Sequence, residues 1–131
     1  MSAVVDASVL VAALTDTGAE GRWAERVVAE SDLVAPHLVL VETDNILRRL
    51  ERARRLTPGE AAAAHEDMLG LDLLLVPFGP FAERVWSLRR NVTSYDAWYI
   101  AIAEALAVPL ATLDRKLSRA PGPTCHFWLP S

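Results

Sequence analysis

The chain holds a single cysteine, Cys125. That excludes an internal disulfide framework and fits a reducing compartment. No apolar run approaches the ~18 residues needed to span a bilayer, and no basic leader precedes the first apolar segment. We therefore expect a cytoplasmic protein with no membrane attachment. Glycine is scarce, 6 residues in 131, and none falls in a Walker A loop or a Gly-x-Gly-x-x-Gly turn, so nucleotide sites of those kinds are not expected. The histidines (His37, His65, His126) are scattered, and neither His-x-x-x-His nor Cys-x-x-Cys spacing occurs, which removes the usual zinc patterns.

Positive charge is also short, with a net charge of −4, a poor starting point for a nucleic-acid partner. Two features offset it. Acids that hold divalent ions no longer count fully as negative charge. The basic residues are also clustered: Arg48, Arg49, Arg52, Arg54 and Arg55, then Arg89 and Arg90, then Arg115, Lys116 and Arg119. Solvated helix faces explain such clusters equally well, so charge alone decides nothing.

What is present is an ordinary globular balance, 52% hydrophobic and 23% charged, at a length suited to one domain over residues 1–131. Apolar strand-like segments at Ala3–Asp6, Leu33–Ala35, Leu73–Val76, Pro109–Leu113 and Cys125–Leu129 alternate with helical stretches. The helices are expected near Ser8–Leu14, Ala19–Glu30, His37–Arg55, Glu60–Leu69, Pro80–Arg90 and Ser94–Leu106. Thr57-Pro58-Gly59-Glu60 is a capping box with proline at the first helical position. Pro36 stops its strand and suits the first turn of the following helix. Continuously apolar strands between helices predict a three-layer α/β fold, a central parallel sheet of about five strands flanked by helices. In such folds ligands bind at the carboxyl ends of the strands.

Four acids fall where that edge should be. Asp6 follows Val4-Val5 and Asp114 follows Leu110–Leu113, although an aspartate after a strand is also a common turn or cap residue. Glu42 has Leu38, Val39 and Ile46 at i−4, i−3 and i+4, so its carboxylate rises from an apolar stripe where an unpaired charge is costly. An ion pair to an arginine or a bound metal would each explain it. Asp96 opens an apolar helix three residues after Thr93, where helix capping is a rival reading. Gathered on one edge, such acids repel by about 4 kcal/mol per pair at ~4 Å and an effective dielectric near 20. A protein keeps such a cluster by protonating some members or by binding a cation. Oxygen-only ligation favours Mg²⁺ or Mn²⁺ over zinc, and such ions suit phosphodiester cleavage.

Val4-Val5-Asp6-Ala7-Ser8, Glu42 with Asn45 and Leu47, Ser94-Tyr95-Asp96-Ala97, and Thr112-Leu113-Asp114-Arg115-Lys116-Leu117 together resemble the PIN-domain family, and within it the VapC-type toxins of bacterial toxin–antitoxin pairs. The resemblance runs the length of the chain with its motifs in order. It implies a PIN-like fold and a Mg²⁺- or Mn²⁺-dependent endoribonuclease with Asp6, Glu42, Asp96 and Asp114 as catalytic metal ligands. Ser8 and Thr112 would support them. A homodimer and a VapB-type antitoxin partner are also implied. Arg115 and Lys116 are first candidates to hold the RNA backbone, and Trp23 is a candidate antitoxin contact. Trp86, Trp98, Tyr99 and Trp128 are expected in the core or at a subunit contact.

Rival readings fit less well. A receiver domain needs an acid after its third strand, where Val76-Pro77-Phe78-Gly79 stands, and a phosphatase of the Asp-x-Asp type finds Ser8 at its second position. A catalytically silent PIN fold acting as a binding module is the alternative from another class, and DNA is an alternative substrate.

Overall fold

Ala3, Val4 and Val5 are wholly withdrawn from solvent, as the central strand of a sheet covered on both faces must be. A computed structural model describes the whole chain, Met1–Ser131. Its elements are β1 (Ser2–Val5), α1 (Ala7–Thr15), α2 (Ala19–Glu30), β2 (Asp32–Pro36), α3 (Leu38–Arg52) and α4 (Pro58–Leu69), followed by β3 (Leu73–Val76), α5 (Ala82–Ser87), α6 (Ser94–Leu106), β4 (Leu110–Ala111) and β5 (Phe127–Trp128). Short 3-10 turns lie at Gly79–Phe81 and Leu117–Arg119.

The sheet has the order β3-β2-β1-β4-β5 with every pair parallel. From β1 the chain steps outward to β2 and β3, then returns to add β4 and β5 on the other side of β1. That reversal opens a crevice beyond the carboxyl ends of β1 and β4. Helix α6 lies on β1, β2 and β4 with α5 beside it, and α1 packs against α2, α3 and α4. One apolar cluster, from Val4 and Val5 through Leu10, Val27, Ile100 and Ile102 to Leu110, joins sheet and helices.

Local chemistry sets the element ends. Thr57 accepts from the Glu60 backbone and Glu60 accepts from the Thr57 backbone, the expected capping box. Gly21 has no alternative, because a Cβ there would sit 1.8 Å from the Asp16 carbonyl oxygen. The α1–α2 junction closes that tightly.

Several boundaries differ from those read in the sequence. Pro36 belongs to β2 and pairs with Val76. It lies beyond Val34, the last residue paired with β1, so its missing N–H leaves no gap on that side. Helix α3 ends at Arg52, and Arg54 takes a left-handed conformation with φ 59°. Helix α5 is shorter than Pro80–Arg90, because a 3-10 turn precedes it and the backbone after it tightens to i→i−3 bonds at Leu88, Arg89 and Asn91. Strand β4 has two residues, since Leu113 N–H turns from the sheet to donate to Ser8 Oγ. The strand stops where the crevice begins. β5 is likewise limited to Phe127–Trp128.

One tryptophan reading is corrected, and another is narrowed. Trp23 is only 7% exposed and meets Trp128 edge to face at 5.9 Å, so it offers no surface to a partner. Trp86 is not a core residue: it is 64% exposed.

Candidate active site

Asp6 ends β1 and caps α1 at once, and both roles follow from its backbone. It is extended, with φ −97° and ψ 175°, and its Oδ1 accepts from Val9 N–H. The same oxygen accepts from Ser8 Oγ at 2.5 Å, and Oδ2 accepts from Thr112 Oγ1. Oδ1 has both lone pairs engaged, whereas Oδ2 keeps one free. Thr112 is fully buried. Its hydroxyl donates to Asp6 and accepts from Asp114 N–H at 3.0 Å. Ser8 in turn accepts from Leu113 N–H at 3.1 Å. Two hydroxyls therefore lace the end of β1 to the segment after β4.

Glu42 projects from α3, and its partner is not an arginine. Its Oε1 accepts from Tyr99 Oη on α6 at 2.5 Å, and Oε2 is left free. Asp96 stands in the first turn of α6, where Thr93 is the N-cap and accepts from Asp96 N–H at 3.1 Å. The capping belongs to Asp96's backbone, leaving its carboxylate to face the acids. Asp114 is exposed, and its Oδ1 accepts from Leu117 N–H at 2.9 Å, which holds the turn after β4.

The acids sense one another. Burial pushes the Asp6 carboxyl above its ordinary range, against the lowering effect of Ser8, Thr112 and Val9, and the charge on Asp96 pushes it further. Glu42 is raised by burial and again by Asp96, with the Tyr99 hydroxyl opposing. Asp96 is raised by burial and by the charge on Asp114, with Thr93 opposing. Asp96 thus couples to the other three. Tyr99 is raised by burial and by Glu42, Asp6 and Asp96, so it stays a neutral donor.

No member of this set makes an ion pair; the pairs in the chain are Met1–Asp32, His65–Asp44 and Arg84–Glu104. Asp96 and Asp114 line a cleft of about 630 Å³ together with Asn91, Thr93, Lys116 and Arg119. Carboxylate oxygens with free lone pairs, pKa values raised at Asp6, Glu42 and Asp96, and no ion pair fit a hard divalent cation. The side chains as they stand do not bring three Asp, Glu, His or Cys groups to the spacing of one ion's ligands. The fit therefore rests on donor chemistry and charge.

Lys116 lines the cleft as anticipated, whereas Arg115 points elsewhere and donates to the Pro130 carbonyl at 3.2 Å. Arg119, unremarked as a contact in the sequence, stands in its place. None of the arginines between Arg48 and Arg55 lines the cleft. Tyr99 is buried, as expected of a core aromatic, and its hydrogen bond to Glu42 is the contact that sequence reasoning missed. The i+3 offset of Tyr99 from Asp96 puts the two on one face of α6, a signal masked by the apolar character of that helix.

Outside the site, Glu104 ties the C-terminal loop to α5 and α6. Its carboxylate takes Arg84 Nε at 2.7 Å and Nη2 at 3.0 Å, and also accepts from Thr124 N–H and Oγ1. Cys125 lies nearby with its thiol pushed up to about 11, by burial first and then by Glu104, which makes it unreactive.

Comparison with known proteins agrees with this architecture. The PIN domain family model matches residues 3–123. Ribonuclease VapC1 of Mycobacterium tuberculosis is 40% identical over 127 residues, 96% of each chain. Among solved structures, M. tuberculosis VapC20, described as a Sarcin-Ricin loop cleaving toxin, superposes with TM-score 0.66 at 22% identity, covering 89% of this chain and 93% of its own. VapBC2 from Rickettsia felis, solved bound to a DNA fragment from its promoter, does so with TM-score 0.66 at 15% identity and full coverage of both chains. The sheet order, the acids at its carboxyl edge and these relatives agree: the chain belongs to the PIN domain family, among its VapC members.

Proposed function

We propose that the protein is a divalent-metal-dependent endoribonuclease, the toxin of a toxin–antitoxin pair. The observation that carries this reading is the set Asp6, Glu42, Asp96 and Asp114, free of ion pairs and mutually coupled at the carboxyl edge of the sheet. The ribonuclease names of its VapC relatives supply the substrate class.

In this scheme the four acids hold Mg²⁺ or Mn²⁺, which when bound polarises phosphate oxygens and lowers the pKa of water. The chain's own residues do the rest. Thr112 and Ser8 hold Asp6 in one rotamer and tie it to the Asp114 segment. Tyr99 fixes Glu42 and, remaining protonated, donates to the ionised carboxylate. Lys116 and Arg119 on the cleft wall take the RNA backbone and offset charge growing on the phosphate, without reading sequence. An antitoxin would lie over the cleft, and two copies of the chain would associate. Copurification with the product of an adjoining reading frame and sedimentation of the free protein test those two parts.

The deciding experiment is a calorimetric titration of Mn²⁺ into the antitoxin-free protein, beside Asp96→Ala and Glu42→Ala variants. Saturable binding that both variants lose supports the metal site, and RNA cleavage that follows the same pattern supports the enzyme. Binding untouched by either substitution would make the acids caps and local contacts, and the fold a binding scaffold.

A further inference from the structure

The last turn of helix α5 carries an aromatic residue that the fold does not use. Trp86 is 64% exposed, and the Arg89 guanidinium lies over its ring, 4.3 Å from the centroid. Arg89 is held there by its own bond, Nη1 donating to the Trp86 carbonyl at 2.9 Å. The neighbouring exposed side chains are Glu83, Ser87 and Arg90. A lone indole among charged groups is not the apolar patch on which a subunit interface is centred, because charged residues are depleted there. A large flat ring with a fixed cation over it, in a basic surround, is the composition that binds unpaired bases.

Its position gives that composition a purpose. The chain leaves α5 through tight turns and enters the cleft wall at Asn91, five residues after Trp86. A Cβ on Gly122, whose φ is +106°, would meet Leu88 Cδ2 at 3.2 Å and Asn91 Nδ2 at 3.3 Å. The turn that follows α5, at Leu88 and Asn91, is therefore packed against the loop whose Ala120 and Pro121 line the same cleft. Arg89 and Arg90 immediately precede Asn91 in the chain and add positive charge next to a cleft wall that already holds Lys116 and Arg119, on a chain whose net charge is −4.

We propose that Trp86 and Arg89 form a stacking subsite for a base of single-stranded RNA, beside the one whose phosphate lies at the carboxylates. The inference rests on the ribonuclease reading above. The ring supplies stacking that every base can use, and Arg89 keeps it oriented while adding attraction for the phosphate. The subsite would favour looped or single-stranded RNA over a duplex, whose bases are already stacked.

The test uses Asp96→Asn as a cleavage-silent background and a fluorescein-labelled 12-nucleotide single-stranded RNA followed by anisotropy. Adding Trp86→Ala should weaken binding by about 5- to 100-fold, as loss of one stacked base does. Trp86→Tyr should recover most of it. A heparin oligosaccharide, which has charge but no bases, should bind both backgrounds equally. RNA binding by Asp96→Asn that Trp86→Ala leaves unchanged would overturn the subsite and leave the ribonuclease reading standing. No RNA binding by Asp96→Asn, and none by the wild-type protein with Mn²⁺, would overturn both. A fall in sedimentation coefficient on Trp86→Ala with unchanged RNA affinity would make Trp86 a subunit contact and refute the proposal.

Discussion

Replacing Asp96 with asparagine should stabilise the metal-free protein at neutral pH while removing its metal site. Asp96 raises the pKa of Asp6 and Glu42 and is itself raised by Asp114, so its charge is opposed from three sides. Asparagine keeps the shape, and the Thr93 cap survives because it is made to the backbone N–H. Each like-charge contact costs about 4 kcal/mol at ~4 Å and an effective dielectric of 20, and Asp96 is partly exposed, so solvent screening reduces this severalfold. The lost attraction between Asp96 and the N-terminus of α6 works the other way, by about 0.3–1 kcal/mol. The net gain is on the order of 1–2 kcal/mol, or a Tm higher by about 3–8 °C for a chain of this size.

The pH dependence carries a definite sign. A carboxyl whose pKa is raised on folding binds its proton more tightly in the native state. Native protein then holds more protons than unfolded protein between the two values, and stability falls as pH rises through that window. Metal-free wild type should be more stable at pH 5 than at pH 7.5, and Asp96→Asn should flatten the difference. Thermal unfolding in a chelator at both pH values measures this, with Mn²⁺ added in parallel. Mn²⁺ should raise the wild-type Tm and leave the variant's unchanged. If Asp96→Asn is less stable than wild type at pH 7.5 without metal, the acids are not repelling one another and the argument from uncompensated charge fails.

Tyr99→Phe should weaken Mn²⁺ binding by about 10- to 100-fold, as loss of an outer partner of a ligand does, and should move its onset to higher pH, since Glu42 loses the bond that holds its pKa down. Calorimetry at pH 6 and 8 checks both. Thr112→Val should cost about 1–3 kcal/mol by urea unfolding, because it leaves the Asp114 N–H and a buried Asp6 oxygen without partners. Lys116→Ala and Arg119→Ala should each lower the slope of log affinity for RNA against log salt by about 1, leaving Mn²⁺ titrations unaltered. Glu104, lowered by Arg84 and Thr124 against the opposing effect of burial, gives stability that is present above the ordinary Glu pKa and lost as pH falls through the lowered value. Glu104→Gln should abolish that acid-side loss in a denaturation series from pH 5 to pH 2.

Much of the fold was legible in the residues because it rests on short-range patterns. Val4-Val5, Leu33-Val34-Ala35 and Leu110-Ala111 are apolar on both strand faces, which only a buried parallel sheet accommodates. Thr57-Pro58-Gly59-Glu60 starts its helix by bonds within four residues. The acids stood out for the same reason, a charge closing an apolar strand or rising from an apolar stripe, and the likeness to PIN domains drew on those same positions. What these patterns could not convey was pairing across the chain. The sequence left open whether Glu42 meets an arginine, and only the packing of α3 near α6 puts it against Tyr99, 57 residues away. Thr112 reaches Asp6 over 106 residues because the strand order sets β4 beside β1, an order that no local periodicity encodes. The arginines divide similarly. Clustering is visible in one dimension, but whether Arg115 or Arg119 faces the cleft depends on a 3-10 turn that rotates one toward it and leaves the other at Pro130. Sequence alone determined the layers and the family and singled out the acids as candidates; tertiary structure decided what each acid touches, because those contacts join segments whose separation along the chain carries no signal.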